Sequence, residues 1–238
     1  MKILVLGHNG MLGHMLVKYF TDAGFVVETI DDKFPNESFL KNVKRFDGEY
    51  IINAIGAIPQ KTSVFLINTD LPIWLDQNVK CKIIHPGTDC EMDDDEYGIS
   101  KKQARDYIVQ TSTHTKILRS SIIGPELQNK KSLLEWFLNT NDQCNGYTEA
   151  MWNGITTYEW AKQCRRLIES WNMYETETIV SGNCISKFDL LQTIALVFGK
   201  QINIVPINNG TNKCLVPSIQ TLDIKQQLQE LKEYYYDN

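Results

Sequence analysis

Long apolar runs are missing from this chain. No segment reaches the roughly 18 apolar residues that a membrane-spanning helix requires. The first apolar run, Ile3-Leu4-Val5-Leu6, is cut off by Gly7, too early for a secretory signal. No membrane partner is expected, and the expected location is the cytoplasm. Paired cysteines are missing too: Cys81, Cys90, Cys144, Cys164, Cys184 and Cys214 are scattered, with no C-x-x-C motif and no histidine at ligand spacing. That pattern argues against a metal centre and for reduced thiols. Basic clusters are limited to short pairs such as Lys101-Lys102 and Arg165-Arg166, and the net charge is −5. Neutralising phosphates takes a basic surface, so a nucleic-acid partner is argued against. What remains is 238 residues with 42% hydrophobic and 22% charged side chains, the composition of a folded globular chain. It is long enough for one large α/β domain, or for a nucleotide-binding domain with a small second lobe.

The apolar run at the start reads as a strand that feeds Gly7-His8-Asn9-Gly10-Met11-Leu12-Gly13. Met11, Leu12, Met15, Leu16, Tyr19 and Phe20 then recur at helical spacing until Ala23-Gly24 stops them, and 25–30 reads as a second strand. A β-turn-α-β unit implies parallel strands. Asn36 is placed to cap a short helix carrying Phe39, Leu40, Val43 and Phe46. Strands at 50–56, 82–85 and 115–119 alternate with helices over 64–79 and 96–109. Continuous apolar strands between helices predict an α/β fold, a Rossmann-like doubly wound parallel sheet covered on both faces. Beyond Ile123-Gly124-Pro125 the texture changes to a helix around Leu133–Leu138 and to loops at Gly146-Tyr147-Thr148 and Trp152-Asn153-Gly154. A helix over 156–171, a strand at 178–180, a helix over 186–198, a strand at 202–207 and a polar helix ending near Tyr236 complete the chain. The expected division is a dinucleotide-binding core over 1–125, with 150–181 contributing, and a small substrate-binding lobe over most of 126–238, packed as one compact unit.

The glycine loop carries the first functional expectation. Gly7 permits a tight turn, Gly10 lets backbone approach a pyrophosphate, and Gly13 permits close helix packing, while a helix start leaves N–H groups for the phosphates. Gly7, Asn9, Gly10, Met11, Leu12 and Gly13 are the candidate cofactor loop. An acid at the end of the second strand suits an adenosine ribose, which places Asp31 or Asp32 there and leans towards NADH; the adjacent Lys33 suits a 2′-phosphate instead. The choice between NADH and NADPH stays open.

Tyr97 and Lys101, four residues apart, share one face of a helix, where a cation can lower a phenol's pKa. Ten Tyr and nineteen Lys in 238 residues lead chance alone to supply about one such spacing, and Tyr158-Lys162 is a second. Position separates them. Tyr97 opens the helix after a strand ending at Pro86-Gly87-Thr88, at the carboxyl edge of the sheet where ligands of doubly wound folds sit. Tyr158 lies past that sheet, beside Trp160. Hydride delivery to a ketone leaves charge on oxygen that a positioned acid must neutralise. Tyr97 is the expected proton donor, Lys101 its tuner and a holder of the nicotinamide ribose, and Thr88 a hydroxyl for the same carbonyl oxygen.

With these residues in place the chain resembles the extended short-chain dehydrogenase/reductases, and among them the dTDP-4-dehydrorhamnose reductase-like nucleotide-sugar enzymes. Gly7-x-x-Gly10-x-x-Gly13 is similar to the family's cofactor loop, and Asn53-Ala54-Ile55-Gly56 to its segment beside adenine-ribose and nicotinamide. Asn68 matches the Asn of the following helix, Thr88-Asp89-Cys90 the S-T-D stretch, Tyr97 and Lys101 the catalytic pair, and Leu118-Arg119-Ser120-Ser121 the L-R-T-S strand end. Lys131–Phe137, Gly146–Thr157 and Ile185–Leu191 look like one bacterial branch associated with surface-polysaccharide sugars. The resemblance implies NAD(P)H as cofactor and a nucleotide-linked 4-keto-6-deoxy sugar as substrate, with Asp89, Cys90, Trp152 and Asn153 on the substrate side. Alternatives are an enzyme that also epimerises, with His85 or Cys90 as base, and a cofactor-binding regulatory subunit without turnover. A homodimer built from helix pairs is the remaining partner expectation.

The chain departs from the family between the Thr and the Tyr. A long aromatic-rich loop usually stands there, whereas here eight residues intervene, Asp89 to Glu96, with Glu91, Asp93, Asp94, Asp95 and Glu96 following Asp89. Such a loop would repel a negatively charged nucleotide sugar unless it turned to solvent.

Overall fold

The computed structural model describes residues 1–128 and 130–237. Two compact units divide the chain, one of 1–119 with 164–178 and one of 120–163 with 179 onward. The first unit therefore ends at Arg119 and later takes back a short segment.

In the first unit β1 (Lys2–Leu6), α1 (Met11–Asp22), β2 (Val26–Ile30), α2 (Glu37–Arg45), β3 (Tyr50–Asn53), α3 (Ile67–Asn78), β4 (Lys82–Gly87), α4 (Glu96–Thr111) and β5 (Thr115–Arg119) follow one another. The pairings β2-β1, β1-β3, β3-β4 and β4-β5 are all parallel. The first crossover runs from β1 to β2 on one side, and the chain then returns to place β3 on the other side of β1. That reversal is a topological switch point, where the carboxyl ends of two neighbouring strands diverge and leave a crevice. Leu6 and Asn53 are the last residues of β1 and β3 and lie in register, so Gly7 and Ala54 begin at that crevice. The interior of this unit explains the continuous apolar strands. Leu4, Leu6, Ile51 and Ile83 from the sheet cluster with Phe39 and Val43 of α2 and Leu71 and Leu75 of α3, all buried. Each such side chain contributes about 1.5–3 kcal/mol of burial. β2, at the edge, has two of five residues half-buried and the rest exposed.

The second unit carries β6 (Ile122–Ile123), α5 (Leu133–Asn139), β7 (Gln143–Tyr147), β8 (Met151–Trp152), β9 (Ile155–Thr156), and the start of α6 (Thr157–Glu169). After β10 (Glu177–Ser181), which begins in the first unit, come β11 (Ile185–Ser186), α7 (Lys187–Phe198), β12 (Asn203–Ile207), β13 (Ile219–Gln220) and α8 (Ile224–Tyr235). The main sheet has seven strands in the order β13-β10-β5-β4-β3-β1-β2, so the fold is the expected Rossmann-like α/β architecture. Among the described residues no helix is long and apolar enough to cross a membrane.

Three expectations need correction. Strand β3 stops at Asn53 rather than Gly56, because Asn53 turns its Oδ1 back to the Ile55 N–H at 3.1 Å and ends the ladder. The segments expected as loops at Gly146-Tyr147 and Trp152 are strands: β7 pairs parallel with β12, and β8 pairs antiparallel with β11. Cys144 and Gly146 are the inward residues of β7, and a Cβ on Gly146 would come within 2.7 Å of Phe188 and 2.8 Å of Ile204. The inward alternation is written in small residues, which hides it from a hydrophobicity reading. Finally, Cys184 and Cys214 form a disulfide with Cα atoms 5.9 Å apart, so only Cys81, Cys90, Cys144 and Cys164 keep thiols. Thirty residues separate the bonded pair, which is why no sequence spacing pointed to it.

Candidate active site

Gly7 has φ +80°, a region that only glycine enters at little cost, and a Cβ there would lie 2.9 Å from the Ala54 carbonyl across the switch point. A Cβ on Gly13 would lie 2.1 Å from the Gly7 oxygen, so this glycine seats α1 against the turn. Gly10 differs. It caps α1 in ordinary extended backbone, and a Cβ built on it meets only the Gly7 oxygen, at 3.3 Å. Packing within the chain does not demand glycine at position 10, which fits the approach of a ligand's phosphates to that backbone. Helix α1 has no acidic residue in its first turn and no side-chain cap, so its N-terminal field is left for an anion. His8 Nε2 lies 3.1 Å from Asn9 Nδ2 and 3.2 Å from Asp31 Oδ1, joining the loop to the end of β2. Met11 is half-buried and Leu12 buried at the start of the helix.

Asp31 is almost fully exposed, whereas Asp32 accepts from Asn42 Nδ2 at 2.8 Å. Both line a groove of about 530 Å³ that also receives Arg45, a cation from the last turn of α2 not considered in the sequence. The donor set fits a ribose hydroxyl through either aspartate. It places Arg45 beside them as well.

The segment after β3 is held from below. Asn68 Oδ1 accepts from the Ala57 N–H at 2.8 Å, and its Nδ2 donates to the Ala57 carbonyl at 3.0 Å and to Ser100 Oγ at 3.2 Å. A methyl group on Gly56 would stand 3.4 Å from both Asn68 Oδ1 and Lys101 Nζ. The Ala54-Ile55-Gly56 run and Lys101 are therefore brought together, as the sequence predicts. Asn53, fully buried, places its Nδ2 3.3 Å from His85 Nδ1, and burial with the nearby Lys101 charge holds the His85 pKa well below 6.5. His85 is a buried strand residue held in its neutral form.

Thr88 and Tyr97 meet. The Thr88 hydroxyl lies beside the Tyr97 phenol, donates to Asp89 Oδ1 at 3.0 Å and accepts from the Cys90 N–H at 3.3 Å. Phe65 packs edge-on against the Tyr97 ring, with centroids 5.7 Å apart. Burial pushes the phenol's pKa up, with Cys90, Asp89 and Glu91 adding to the rise and the Thr88 side chain opposing it. The expected lowering by Lys101 is not the net outcome: burial also pushes Lys101 down, opposed by Glu91. At neutral pH the phenol holds its proton, the form required of a donor. Cys90 Sγ lies 3.6 Å from Asp89 Oδ1 on the same turn.

The acidic stretch neither faces a ligand as a block nor turns wholly to solvent. Asp89 to Met92 form a single 3-10 turn capped by Thr88, with Glu91 2% exposed and 3.3 Å from Arg119 Nε. Asp95 caps α4, its Oδ1 accepting from the Gly98 N–H at 2.6 Å. Opposite charge or a helix N-terminus thus meets two of the six carboxylates, and Asp89 accepts from Thr88. Charge counting along the sequence exposes none of these pairings.

The rival pair is a framework feature. The Tyr158 ring stacks on Tyr234 at 4.3 Å, and Lys162 lies 2.6 Å from Glu159 and 2.5 Å from Glu230. Trp152 and Asn153 are buried in the second unit. Trp152 Nε1 donates to Ser121 Oγ at 2.8 Å, and Asn153 bonds Ser181 Oγ at 3.0 Å and both peptide groups of Leu215 at 2.7 and 2.9 Å.

No protein-family model matches the chain, and no curated protein matches it in sequence. Solved structures do. A dTDP-4-dehydrorhamnose reductase from Clostridium acetobutylicum superposes with a TM-score of 0.76 at 17% identity, covering 98% of this chain and 99% of that one. A dTDP-4-dehydrorhamnose reductase from Bacillus anthracis, in complex with NADP, matches at 0.76 with 14% identity over 97% and 98%. A UDP-glucose 4-epimerase from Thermotoga maritima, with UDP-glucose, matches at 0.76 with 14% identity over 100% and 99%. The chain shares its fold with these three proteins over nearly its whole length.

Proposed function

We propose that this chain is an NAD(P)H-dependent reductase of a nucleotide-linked 4-keto-6-deoxy sugar. The observation that carries the reading is the Thr88 hydroxyl set beside the Tyr97 phenol, with buried Lys101 one turn on, beside Gly56 at the mouth of the switch point. Gly7, Gly10, Gly13 and the Ala54-Gly56 run would hold the dinucleotide, with Asp31 or Asp32 at its ribose. When bound, the reduced nicotinamide supplies the hydride. Thr88 turns its hydroxyl hydrogen from Asp89 to the carbonyl oxygen and so holds it, and Tyr97 gives its proton to the oxygen that becomes the new alcohol. Lys101, within the same pocket of charge, offsets the phenolate left behind. Asp89 and Cys90 are proposed for the sugar side, and Trp152 and Asn153 to shape the lobe that takes the nucleotide. A cytoplasmic role in deoxysugar and polysaccharide synthesis follows from the substrate class.

Cys90 beside Asp89 and Tyr97 favours a second reading, in which epimerisation next to the keto group accompanies reduction. Incubation of the purified chain with NADPH or NADH and enzymatically made dTDP- or UDP-4-keto-6-deoxy sugar in deuterated water tests both. Reduction alone gives a 4-hydroxy sugar without carbon-bound solvent deuterium, and epimerisation adds deuterium beside the former ketone. Tight cofactor binding with no product from any keto sugar would instead mark a regulatory subunit.

A further inference from the structure

The Thr88 backbone is gripped on both sides of its Cα by opposite charges. Its N–H donates to Glu91 Oε1 at 2.8 Å, and its carbonyl accepts from Arg119 Nε at 2.8 Å. Arg119 Nε also lies 3.3 Å from Glu91 Oε2, and the two side chains are 7% and 2% exposed. Glu177 extends the chain of charges. It accepts from Arg119 Nη1 at 3.5 Å and takes Arg105 in a two-pronged contact at 2.9 and 2.6 Å. Gly87 before Thr88 has no room for a side chain, since a Cβ would meet Arg119 at 2.9 Å and Glu91 Oε1 at 3.0 Å. At the far end of the turn, a Cβ on Gly98 would lie 2.3 Å from the Cys90 carbonyl, so the turn rests directly on the start of α4.

We propose that Glu91 and Arg119 are positioning residues for Thr88, fixing its hydroxyl against Tyr97 in place of the longer loop that the resemblance leads one to expect. Stability alone is a poor reason for this arrangement, because a buried ion pair is often matched or bettered by apolar side chains of similar volume. What the charges do, and an apolar pair would not, is hold the backbone N–H and C=O on both sides of the Thr88 Cα. A displacement of about 1 Å at a reacting group can cost about a hundredfold in rate, so the grip acts on turnover through Thr88. The inference rests on the reductase reading for its kinetic consequence, but the geometry it asserts does not need a substrate.

The test therefore has two arms, on the full chain and on Glu91→Gln, which keeps an oxygen for the Thr88 N–H but loses the charge that pairs with Arg119. The first arm measures three-bond couplings to the Thr88 methyl carbon by NMR. One staggered rotamer is expected in the unaltered chain and averaging between rotamers in Glu91→Gln; a single unchanged rotamer in the variant overturns the proposal. The second arm measures reduction of the keto sugar. A kcat lowered at least tenfold is expected, with KM and NADPH affinity within about threefold; an unchanged kcat with only a lower Tm overturns it. If the unaltered chain reduces no keto sugar, the reductase reading fails and the first arm alone decides the positioning role. Should Glu91→Gln fail to fold, Arg119→Lys is measured in the same two arms against the same expected and contrary results.

Discussion

Gly10 and Gly13 stand three residues apart and answer to different demands. Gly13 is required by the chain itself, because a Cβ would overlap the Gly7 oxygen at 2.1 Å, while Gly10 meets nothing closer than 3.3 Å. Gly10→Ala should therefore keep stability within about 0.5 kcal/mol, the usual range for substitutions away from the core, and weaken NADPH or NADH binding at least tenfold. Gly13→Ala should lower the unfolding midpoint in urea as well. Calorimetric titration with the cofactor and urea melts of both variants check this; equal effects of the two on stability would contradict the division of roles. Much of this was legible in the sequence, since glycine spacing at a first β-α junction has few other meanings. Glu91 and Arg119 were not legible in their roles. They lie 28 positions apart on a turn and a strand, and only the fold shows that their charges face each other across Thr88.

Strand β4 carries both His85 and the turn leading to Thr88, and its burial has a pH signature. The folded chain holds the His85 pKa well below 6.5, through burial first and the Lys101 charge second. The unfolded chain takes up that proton near pH 6.5. The stabilisation from neutral His85 is thus complete above about pH 6.5 and lost as pH falls below it, by up to about 1.4 kcal/mol per pH unit. Urea melts between pH 7 and pH 5 should show a shallower loss in His85→Gln than in the unaltered chain; identical slopes would mean that His85 does not stay neutral. At this scale the long elements could be read from sequence, because apolar residues recur at helical spacing in α1 and α2 and run continuously in the strands, with glycine closing α1. β7 and β8 could not, because their pairing partners are β12 and β11, distant in sequence, and their own residues are small or polar. The 3-10 turn after Thr88 was hidden for a similar reason. Its acidic residues read as a block that would repel a nucleotide sugar unless turned to solvent, until Arg119 is found against Glu91.

Across the whole molecule the order β2-β1-β3 sets where chemistry can occur, since it alone brings Gly7, Ala54-Gly56 and the end of β4 to the carboxyl edge of one sheet. The strand-helix alternation made the doubly wound parallel sheet readable before any coordinates, and the strand order comes from the fold. The chain's thiol count was read as six and is four. Denaturation without reductant in the presence of excess alkylating agent should label four cysteines per chain, and labelling after full reduction should raise the count to six; six without reductant would exclude the Cys184–Cys214 bond in the folded protein. The central claim is that Tyr97 is the proton donor of a ketone reduction, and the rate of reduced-nicotinamide oxidation with saturating 4-keto-6-deoxy nucleotide sugar addresses it most directly. Tyr97→Phe should slow that rate by about 10²–10⁴ with cofactor affinity retained, while Tyr158→Phe leaves it within twofold of the unaltered chain at about 25 °C. Full activity in Tyr97→Phe, or an equal loss in Tyr158→Phe, would contradict the account.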